Sequence, residues 1–164
     1  MYKSPLHEMT QTTPTALWND SADLDELRFA LEHGAVGATC NPVIAHTVIK
    51  AHLADWQPRI AGLMAEQPTA TEDEIAWSAV EAPSVDAAAL LMPAFETHRG
   101  RNGRLSVQTD PRLFRDCDEI VRQAERFDRL APNIIVKIPA TAAGIAAIEA
   151  ATAHGITVNA TVCF

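Results

Sequence analysis

The sequence predicts an α/β fold built around a parallel sheet, and three observations lead to that prediction. Five short segments rich in apolar and β-branched residues alternate with longer segments whose apolar residues recur at helical spacing. Strands that are separated by helices pair in parallel through right-handed crossovers. Each predicted strand also ends in polar residues, which is where (β/α)8 barrels place their functional groups. We therefore predict an incomplete (β/α)8 TIM barrel, with about five of its eight strands present.

The alternative is a doubly wound nucleotide-binding sheet, which usually carries a glycine-rich loop after its first strand. Neither G-x-G-x-x-G nor G-x-x-x-x-G-K-[ST] occurs in this sequence. The first predicted strand is instead followed by Asn19-Asp20-Ser21. The strand ends therefore favour the barrel.

The predicted strands are short, and glycine, asparagine or proline residues stand beside several of them. They cover residues 15–19, 35–39, 104–108, 133–138 and 156–164. The run Ile134-Ile135-Val136 has no polar residue, which is typical of a parallel sheet that is buried on both faces.

Helices are predicted between the strands, at residues 23–32, 43–97, 111–130 and 142–153. Leu24, Leu27 and Leu31 recur at helical spacing, and Gly34 follows as a stop signal. The long segment 43–97 contains prolines at positions 58, 68, 83 and 93. Because proline cannot donate the helical hydrogen bond, these residues are predicted to divide the segment into several helices.

Composition limits the classes of function. The 164 residues form one predicted domain, residues 1–164, with 48% hydrophobic residues and a net charge of −8. An acidic chain is poorly suited to bind nucleic acid, and no apolar run approaches the roughly 20 residues needed to span a bilayer. The three cysteines are far apart and have no CxxC or metal-ligand spacing, so neither a zinc site nor a disulfide framework is predicted. Without a secretory signal at the start of the sequence, a reducing cytoplasm is the expected location.

Lys137 is the strongest candidate for a catalytic group. It interrupts an apolar strand in the run Ile134-Ile135-Val136-Lys137-Ile138, although lysine is among the residues least often buried. Burial disfavours the ammonium and increases the share of neutral amine, which can add to a ketone and form an imine. The alternative is a lysine that extends from the strand end to solvent or pairs with an acid. The residue alone leaves both interpretations open.

Four segments of the chain resemble the transaldolase family of Schiff-base aldolases, in the family's order. The run Lys137-Ile-Pro-Ala-Thr141-Ala-Ala-Gly144-Ile145 resembles its active-site lysine signature. Residues 37–42 (GATCNP) resemble the second-strand signature, with departures at Cys40 and Val43. Residues 17–20 (LWND) and 159–161 (NAT) resemble the first-strand and fifth-strand segments. The resemblance covers residues 15–164 and implies the five-strand, N-terminal portion of a (β/α)8 barrel.

What the resemblance implies about function is transfer of a dihydroxyacetone unit between sugar phosphates of the pentose phosphate pathway. Sedoheptulose 7-phosphate or fructose 6-phosphate would be the donor and an aldose phosphate the acceptor, with no metal or organic cofactor. Sugar phosphates are then the expected partners. The sequence allows a homo-oligomer of the full-length protein without specifying one.

The resemblance also implies roles for the other strand-end residues. Asp20 would be an acid-base group, and its alternative role is a helix cap. Asn41, Thr39 and Asn159 would bind substrate, although Asn41 before Pro42 is also typical of a turn. Thr161 would help to hold a catalytic water, and it lies on the same strand face as Asn159.

Gln108 is the main departure from the family. Larger transaldolases have a glutamate at this position as the general acid-base, and glutamine cannot exchange a proton at neutral pH. The smaller fructose 6-phosphate aldolases, which release dihydroxyacetone, carry glutamine there. Two alternatives therefore stay open, a Schiff-base aldolase and a non-catalytic member of the family. Asp110 is a poor substitute for the glutamate because Pro111 is expected to start a helix beside it.

The last predicted strand reaches Phe164, the final residue. A five-strand arc leaves two unpaired edges and an unfilled interior, so the sequence is expected to be a C-terminally truncated fragment. The family's phosphate-binding arginine and serine would lie beyond it. The chain alone is accordingly expected to be poorly soluble or inactive.

Overall fold

The computed structural model describes residues 1–163 and contains one five-stranded sheet. The strands are β1 (Leu17–Asn19), β2 (Ala35–Cys40), β3 (Arg104–Gln108), β4 (Ile134–Pro139) and β5 (Val158–Thr161). All neighbouring strands pair in parallel, and their spatial order is the chain order. This is a half-barrel with flanking helices, which confirms the predicted incomplete (β/α)8 barrel.

Seven α-helices accompany the strands in the described part of the chain. They are α1 (Pro5–Thr12), α2 (Leu24–Glu32), α3 (Pro42–Ala51), α4 (Leu53–Glu66), α5 (Glu72–Thr97), α6 (Cys117–Asp128) and α7 (Ala142–Ala153). Three of them, α3, α4 and α5, connect β2 to β3, whereas one α-helix connects each of the other strand pairs.

The two faces of the sheet differ in their chemistry. Along β4, Val136 and Ile138 are fully buried against the helices, whereas Ile135 and Lys137 on the opposite face are half-buried. We call these the outer and the inner face of the sheet. The hydrophobic core lies between the outer face and the helices, and it also includes Leu105 of β3. The side-chain alternation of β-strands therefore leaves the inner face for polar groups.

The prolines of residues 43–97 do not all end helices, which corrects the sequence prediction. The breaks fall at His52, between α3 and α4, and at residues 67–71, which include Pro68. Pro58 lies inside α4, and Pro83 and Pro93 lie inside α5. Pro83 is fully buried, so packing of its ring offsets the lost hydrogen bond.

The helix predicted at residues 111–130 begins later than expected. Residues Pro111–Leu113 form a single 3₁₀ turn, and α6 starts at Cys117. Asp116 determines this start because its side chain accepts a hydrogen bond from the Glu119 N–H at 3.0 Å. β3 has the predicted limits, and β1, β2 and β4 differ from prediction by one or two residues at an end. β5 begins two residues later than predicted and ends at Thr161, and position 164, the predicted end, lies outside the described residues.

Helix α1 was not predicted. It has no buried residue and no apolar face that a periodicity argument would detect. Its sequence signal is Ser4, which caps the helix by accepting a hydrogen bond from the His7 N–H at 3.1 Å, followed by Pro5 in the first turn.

Helix α5 is long and apolar enough to cross a membrane by length and composition. Its residues Ala87, Ala88 and Leu91 belong to the hydrophobic core, and the helix packs against β2, β3, α2, α3 and α4. Its apolar character is therefore explained by burial within the protein.

Candidate active site

A row of three polar residues crosses the inner face near the carboxyl ends of the strands. Gln108 of β3 is in register with Lys137 of β4, which is in register with Asn159 of β5. Register partners in a parallel sheet point to the same face, so their side chains lie side by side. Three of the sequence candidates are thus adjacent in the fold.

Lys137 is half-buried in this row. None of the ion pairs among residues 1–163 involves it, so the alternative of a lysine paired with an acid is not observed there. Its strand neighbours Val136 and Ile138 are fixed in the core on the outer face, which holds the lysine backbone rigidly in the sheet.

Asp20 and Thr39 form a second polar group, on the side of β1. The Thr39 hydroxyl donates a hydrogen bond to the Asp20 carboxylate. Asp20 itself is exposed, and it follows directly after β1. The carboxylate is therefore oriented by a neighbouring strand while it stays accessible to a ligand.

The helix cap proposed as an alternative for Asp20 is provided by Asp23. The Asp23 carboxylate accepts hydrogen bonds from the N–H groups of Asp25 and Glu26 at 2.9 and 3.0 Å. It also pairs with His52 Nε2 at 2.7 Å. Burial opposes ionisation of Asp23, but the Glu26 N–H, His52 and the Asp25 N–H together hold its pKa below the usual value. Asp20 therefore does not serve as the cap of α2.

Asn41 has a structural role in this fold. Its side chain caps α3, with Oδ1 accepting hydrogen bonds from the N–H groups of Val43 and Ile44, both at 2.9 Å. Asn41 therefore begins a helix, where the alternative interpretation expected a turn before Pro42, and only Nδ2 of the amide is left to meet a substrate. Substrate binding by Asn41 stays a prediction.

Asn159 is held by a residue that the sequence analysis missed. Its Nδ2 donates a hydrogen bond to Ser106 Oγ at 2.9 Å, and Ser106 is fully buried on the inner face of β3. The signal was present in the sequence, since a serine two residues before Gln108 shares the face of that glutamine. Thr161 lies two residues after Asn159, on the same face, and its carbonyl accepts a hydrogen bond from the Ala140 N–H at 2.8 Å.

Two residues of the segment that resembles the family's lysine signature, Thr141 and Gly144, have structural roles in the fold. Thr141 caps α7 by accepting a hydrogen bond from the Gly144 N–H at 3.0 Å, and it donates one to the Phe114 carbonyl at 2.8 Å. A side chain on Gly144 would place its Cβ 1.8 Å from the Pro139 carbonyl oxygen. Both residues therefore fix the connection from β4 to α7, immediately after the lysine strand.

Asp110 does not join the polar row. Its carboxylate pairs with Arg112 at 2.7 Å and caps the 3₁₀ turn, and its N–H donates to Gln123 Oε1 at 2.6 Å. It is therefore held away from a catalytic role, as the sequence suggested. Among residues 1–163, no group of three or more histidine, cysteine, aspartate or glutamate side chains is arranged to hold a metal ion.

Comparison with known proteins agrees with this arrangement. Residues 17–164 match the family described as transaldolase/fructose-6-phosphate aldolase. The chain is 34% identical to a transaldolase of Thermobifida fusca (strain YX), an alignment that covers 98% of this chain and 45% of that protein. It is 33% identical to a transaldolase of Mycobacterium ulcerans (strain Agy99) and 32% identical to one of Mycobacterium tuberculosis (strain ATCC 25618 / H37Rv), over 91% of this chain and 41% of each relative.

The chain thus spans less than half the length of the curated relatives that it matches. The matched residues include all five strands and every polar residue of the inner face described above. The chain belongs to the transaldolase/fructose-6-phosphate aldolase family.

Proposed function

We propose that Lys137 forms a Schiff base with a ketose phosphate and that the protein transfers a dihydroxyacetone unit from this donor to an aldose phosphate. The observation that carries the proposal is the placement of Lys137 between Gln108 and Asn159 on the inner face of a family-typical half-barrel. The donor would be sedoheptulose 7-phosphate or fructose 6-phosphate. Because the chain covers less than half of its relatives, the activity is proposed for the whole protein.

The proposed chemistry uses the amine as an electron sink. The neutral Lys137 amine adds to the ketone carbon, and loss of water gives the imine. Asp20 takes the proton of the hydroxyl on the carbon that becomes the aldehyde of the leaving aldose phosphate. The bond between this carbon and the ketol unit breaks, and its electron pair neutralises the protonated imine nitrogen and leaves an enamine. After the aldose phosphate has left, the enamine attacks the aldehyde of the acceptor, and the new oxyanion takes the proton back from Asp20. Water finally hydrolyses the re-formed imine, which releases the product ketose and restores the amine.

The neighbouring polar side chains have supporting roles in this proposal. Thr39 orients the Asp20 carboxylate through their hydrogen bond. Nδ2 of Asn41 and the amide of Asn159 hydrogen-bond the substrate hydroxyls, while Thr161 and Gln108 hold the water that hydrolyses the imine. The reaction as proposed uses neither a metal nor an organic cofactor, and a cytoplasmic location stays a prediction from the sequence.

The composition of the chain makes the Schiff base easy to test, because it contains only three lysines, Lys3, Lys50 and Lys137. Borohydride reduction in the presence of fructose 6-phosphate, or of dihydroxyacetone as a small probe, should add one reduced three-carbon ketol to Lys137. Lys3 and Lys50 are exposed and serve as internal controls for unspecific reduction. A modified Lys137 also resists trypsin, so peptide mapping identifies the site as a missed cleavage after residue 137.

Two matched variants complete the experiment. Lys137→Arg should abolish the adduct, whereas Lys50→Arg should leave it unchanged. An unmodified Lys137 in the full-length protein, in the presence of either ketone, would refute the Schiff-base proposal and favour the non-catalytic alternative.

A second candidate function is an aldolase that releases free dihydroxyacetone, and Gln108 favours it. The ground is the resemblance itself, since the family's fructose 6-phosphate aldolases carry glutamine at this position and its larger transaldolases carry glutamate. The two functions are separated by measuring whether release of the aldose phosphate requires an acceptor aldose. Gln108→Glu should increase transfer relative to free dihydroxyacetone if the glutamine is responsible for an aldolase activity, and an unchanged product ratio would exclude that explanation.

A further inference from the structure

Ser106 is a buried hydroxyl on the inner face that the proposed reaction does not use. It is fully buried in β3, where it is in register with Thr39 of β2 and Ile135 of β4. It therefore lies one level below the row that contains Lys137, since consecutive same-face residues of a strand are two positions apart. A serine hydroxyl at such a site needs a hydrogen-bond partner, because burial without one is costly.

The partner of Ser106 reaches it across an intervening strand. Asn159 belongs to β5, whereas Ser106 belongs to β3, and β4 lies between these two strands. The Asn159 side chain nevertheless donates from Nδ2 to Ser106 Oγ at 2.9 Å. It must therefore cross the inner face of β4 between Ile135, which is level with Ser106, and Lys137, which is level with Asn159. The amide therefore lies on the inner face beside β4, the strand that carries Lys137.

This bond decides which end of the amide is available to a ligand. An asparagine side chain offers donors at Nδ2 and an acceptor at Oδ1. With Nδ2 directed to Ser106, Oδ1 accepts no hydrogen bond from residues 1–163 and can accept one from a ligand. An imine formed there carries donors, namely its protonated nitrogen and the hydroxyls of the ketol. The acceptor end is therefore the end that complements the intermediate.

We propose that Ser106 is a positioning residue for the Schiff-base site, which fixes the Asn159 amide so that Oδ1 accepts a hydrogen bond from the Lys137 ketol adduct. The inference rests on the proposed function. It adds Ser106 to that site and assigns Oδ1 of Asn159 as the atom that accepts the hydrogen bond. Ser106 does not touch the substrate; it acts through Asn159.

The test uses Ser106→Ala with Ser84→Ala as the matched control, because Ser84 is also fully buried but lies on α5 behind the sheet. The rate of reductive trapping of dihydroxyacetone on Lys137 is measured at saturating ketone. Ser106→Ala should slow trapping by roughly 2- to 10-fold, the effect of one neutral hydrogen bond, and Ser84→Ala should leave it unchanged. Ser106→Cys, which keeps a weak acceptor of similar size, should give an intermediate rate.

A second measurement reports the hydrogen bond without any chemistry. The side-chain amide protons of Asn159 are identified by NMR as the pair that is lost in Asn159→Asp. They should exchange slowly with solvent in the unsubstituted chain and faster in Ser106→Ala. Asn159→Leu, which lacks both the donor to Ser106 and the acceptor for the adduct, should slow trapping at least as much as Ser106→Ala.

The outcomes separate the two proposals. Trapping at the unsubstituted rate in Ser106→Ala, or an Asn159 amide that exchanges equally fast with and without Ser106, would overturn the positioning role. Absence of any adduct in the unsubstituted full-length protein would refute the Schiff-base proposal, while amide exchange would still decide whether Ser106 holds Asn159.

Discussion

Gly144→Ala provides a test of how tightly the connection after the lysine strand is built. The added Cβ would lie 1.8 Å from the Pro139 carbonyl oxygen and 3.1 Å from Thr141 Oγ1. Since real Cβ contacts are essentially never shorter than 3.0 Å, the first turn of α7 must move away from the end of β4. The nearest atom belongs to the backbone, so no flexible side chain can absorb the displacement.

The expected loss of stability in Gly144→Ala is the sum of three contributions. Overpacking of a well-packed site costs about 1–3 kcal/mol, and loss of the Thr141 cap on the Gly144 N–H adds about 1 kcal/mol. The higher helix propensity of alanine offsets about 1 kcal/mol of this loss. We therefore expect Gly144→Ala to lower the free energy of unfolding by roughly 1–3 kcal/mol. Reductive trapping at Lys137 should also fall, because β4 and α7 share this connection.

Gly62→Ala is the matched control, since a Cβ there meets no atom within 4 Å in the middle of α4. It should raise the free energy of unfolding by up to about 1 kcal/mol. Urea denaturation followed by circular dichroism measures both variants under the same conditions. Equal unfolding midpoints for Gly144→Ala and the unsubstituted chain would show that the connection is not closely packed, and the reasoning would then fail.

Three further predictions concern residues outside the polar row. Asp23→Ala should destabilise the chain by about 1 kcal/mol near neutral pH. The folded pKa of Asp23 lies below its ordinary value of 3.8, so the difference in stability between the two proteins should shrink as the pH falls through the folded pKa. A difference between their urea midpoints that does not change with pH would contradict this prediction. Burial raises the pKa of the Cys40 thiol, so iodoacetamide should label Cys40 only after unfolding. The exposed Cys163 should be labelled in the folded chain, and mass spectrometry of timed samples measures both reactions. The fully buried Asn133 amide donates two hydrogen bonds, which join α5 to the turn before β3. Asn133→Ala removes both and should lower the free energy of unfolding by roughly 2–4 kcal/mol. A decrease below about 1 kcal/mol would show that water replaces the amide.

The strands could be predicted from sequence because their signal is local. A run such as Ile134 to Val136 buries apolar side chains whatever its partner, and the polar residue at its end marks the carboxyl edge of a parallel sheet. The register that brings Gln108, Lys137 and Asn159 side by side followed from that edge. The fold class and the adjacency of these three candidates were therefore predictable.

The helices were harder to predict because their limits depend on tertiary contacts. Pro83 was expected to end a helix, but it is buried inside α5, and its burial depends on the helices and strands that pack around α5. The role of Ser106 was missed for the same reason, since its partner is 53 residues away and reaches it across another strand. Asn41 was expected either to bind substrate or to form a turn, and its contact with the N–H groups of the following helix shows a third role, that of a helix cap.

The separation of inner and outer faces has a consequence for how this chain tolerates change. Along β4 the fully buried residues that hold the sheet to the helices alternate one by one with the half-buried residues of the inner face, Ile135, Lys137 and Pro139. A scan of all single substitutions along this strand should therefore give two interleaved phenotypes. Changes at Val136 or Ile138 should reduce the amount of folded protein, whereas changes at Lys137 should leave the amount unaltered and remove only the reactive amine. The same scaffold could in this way acquire a different chemistry through every second residue of its strands, without a new core.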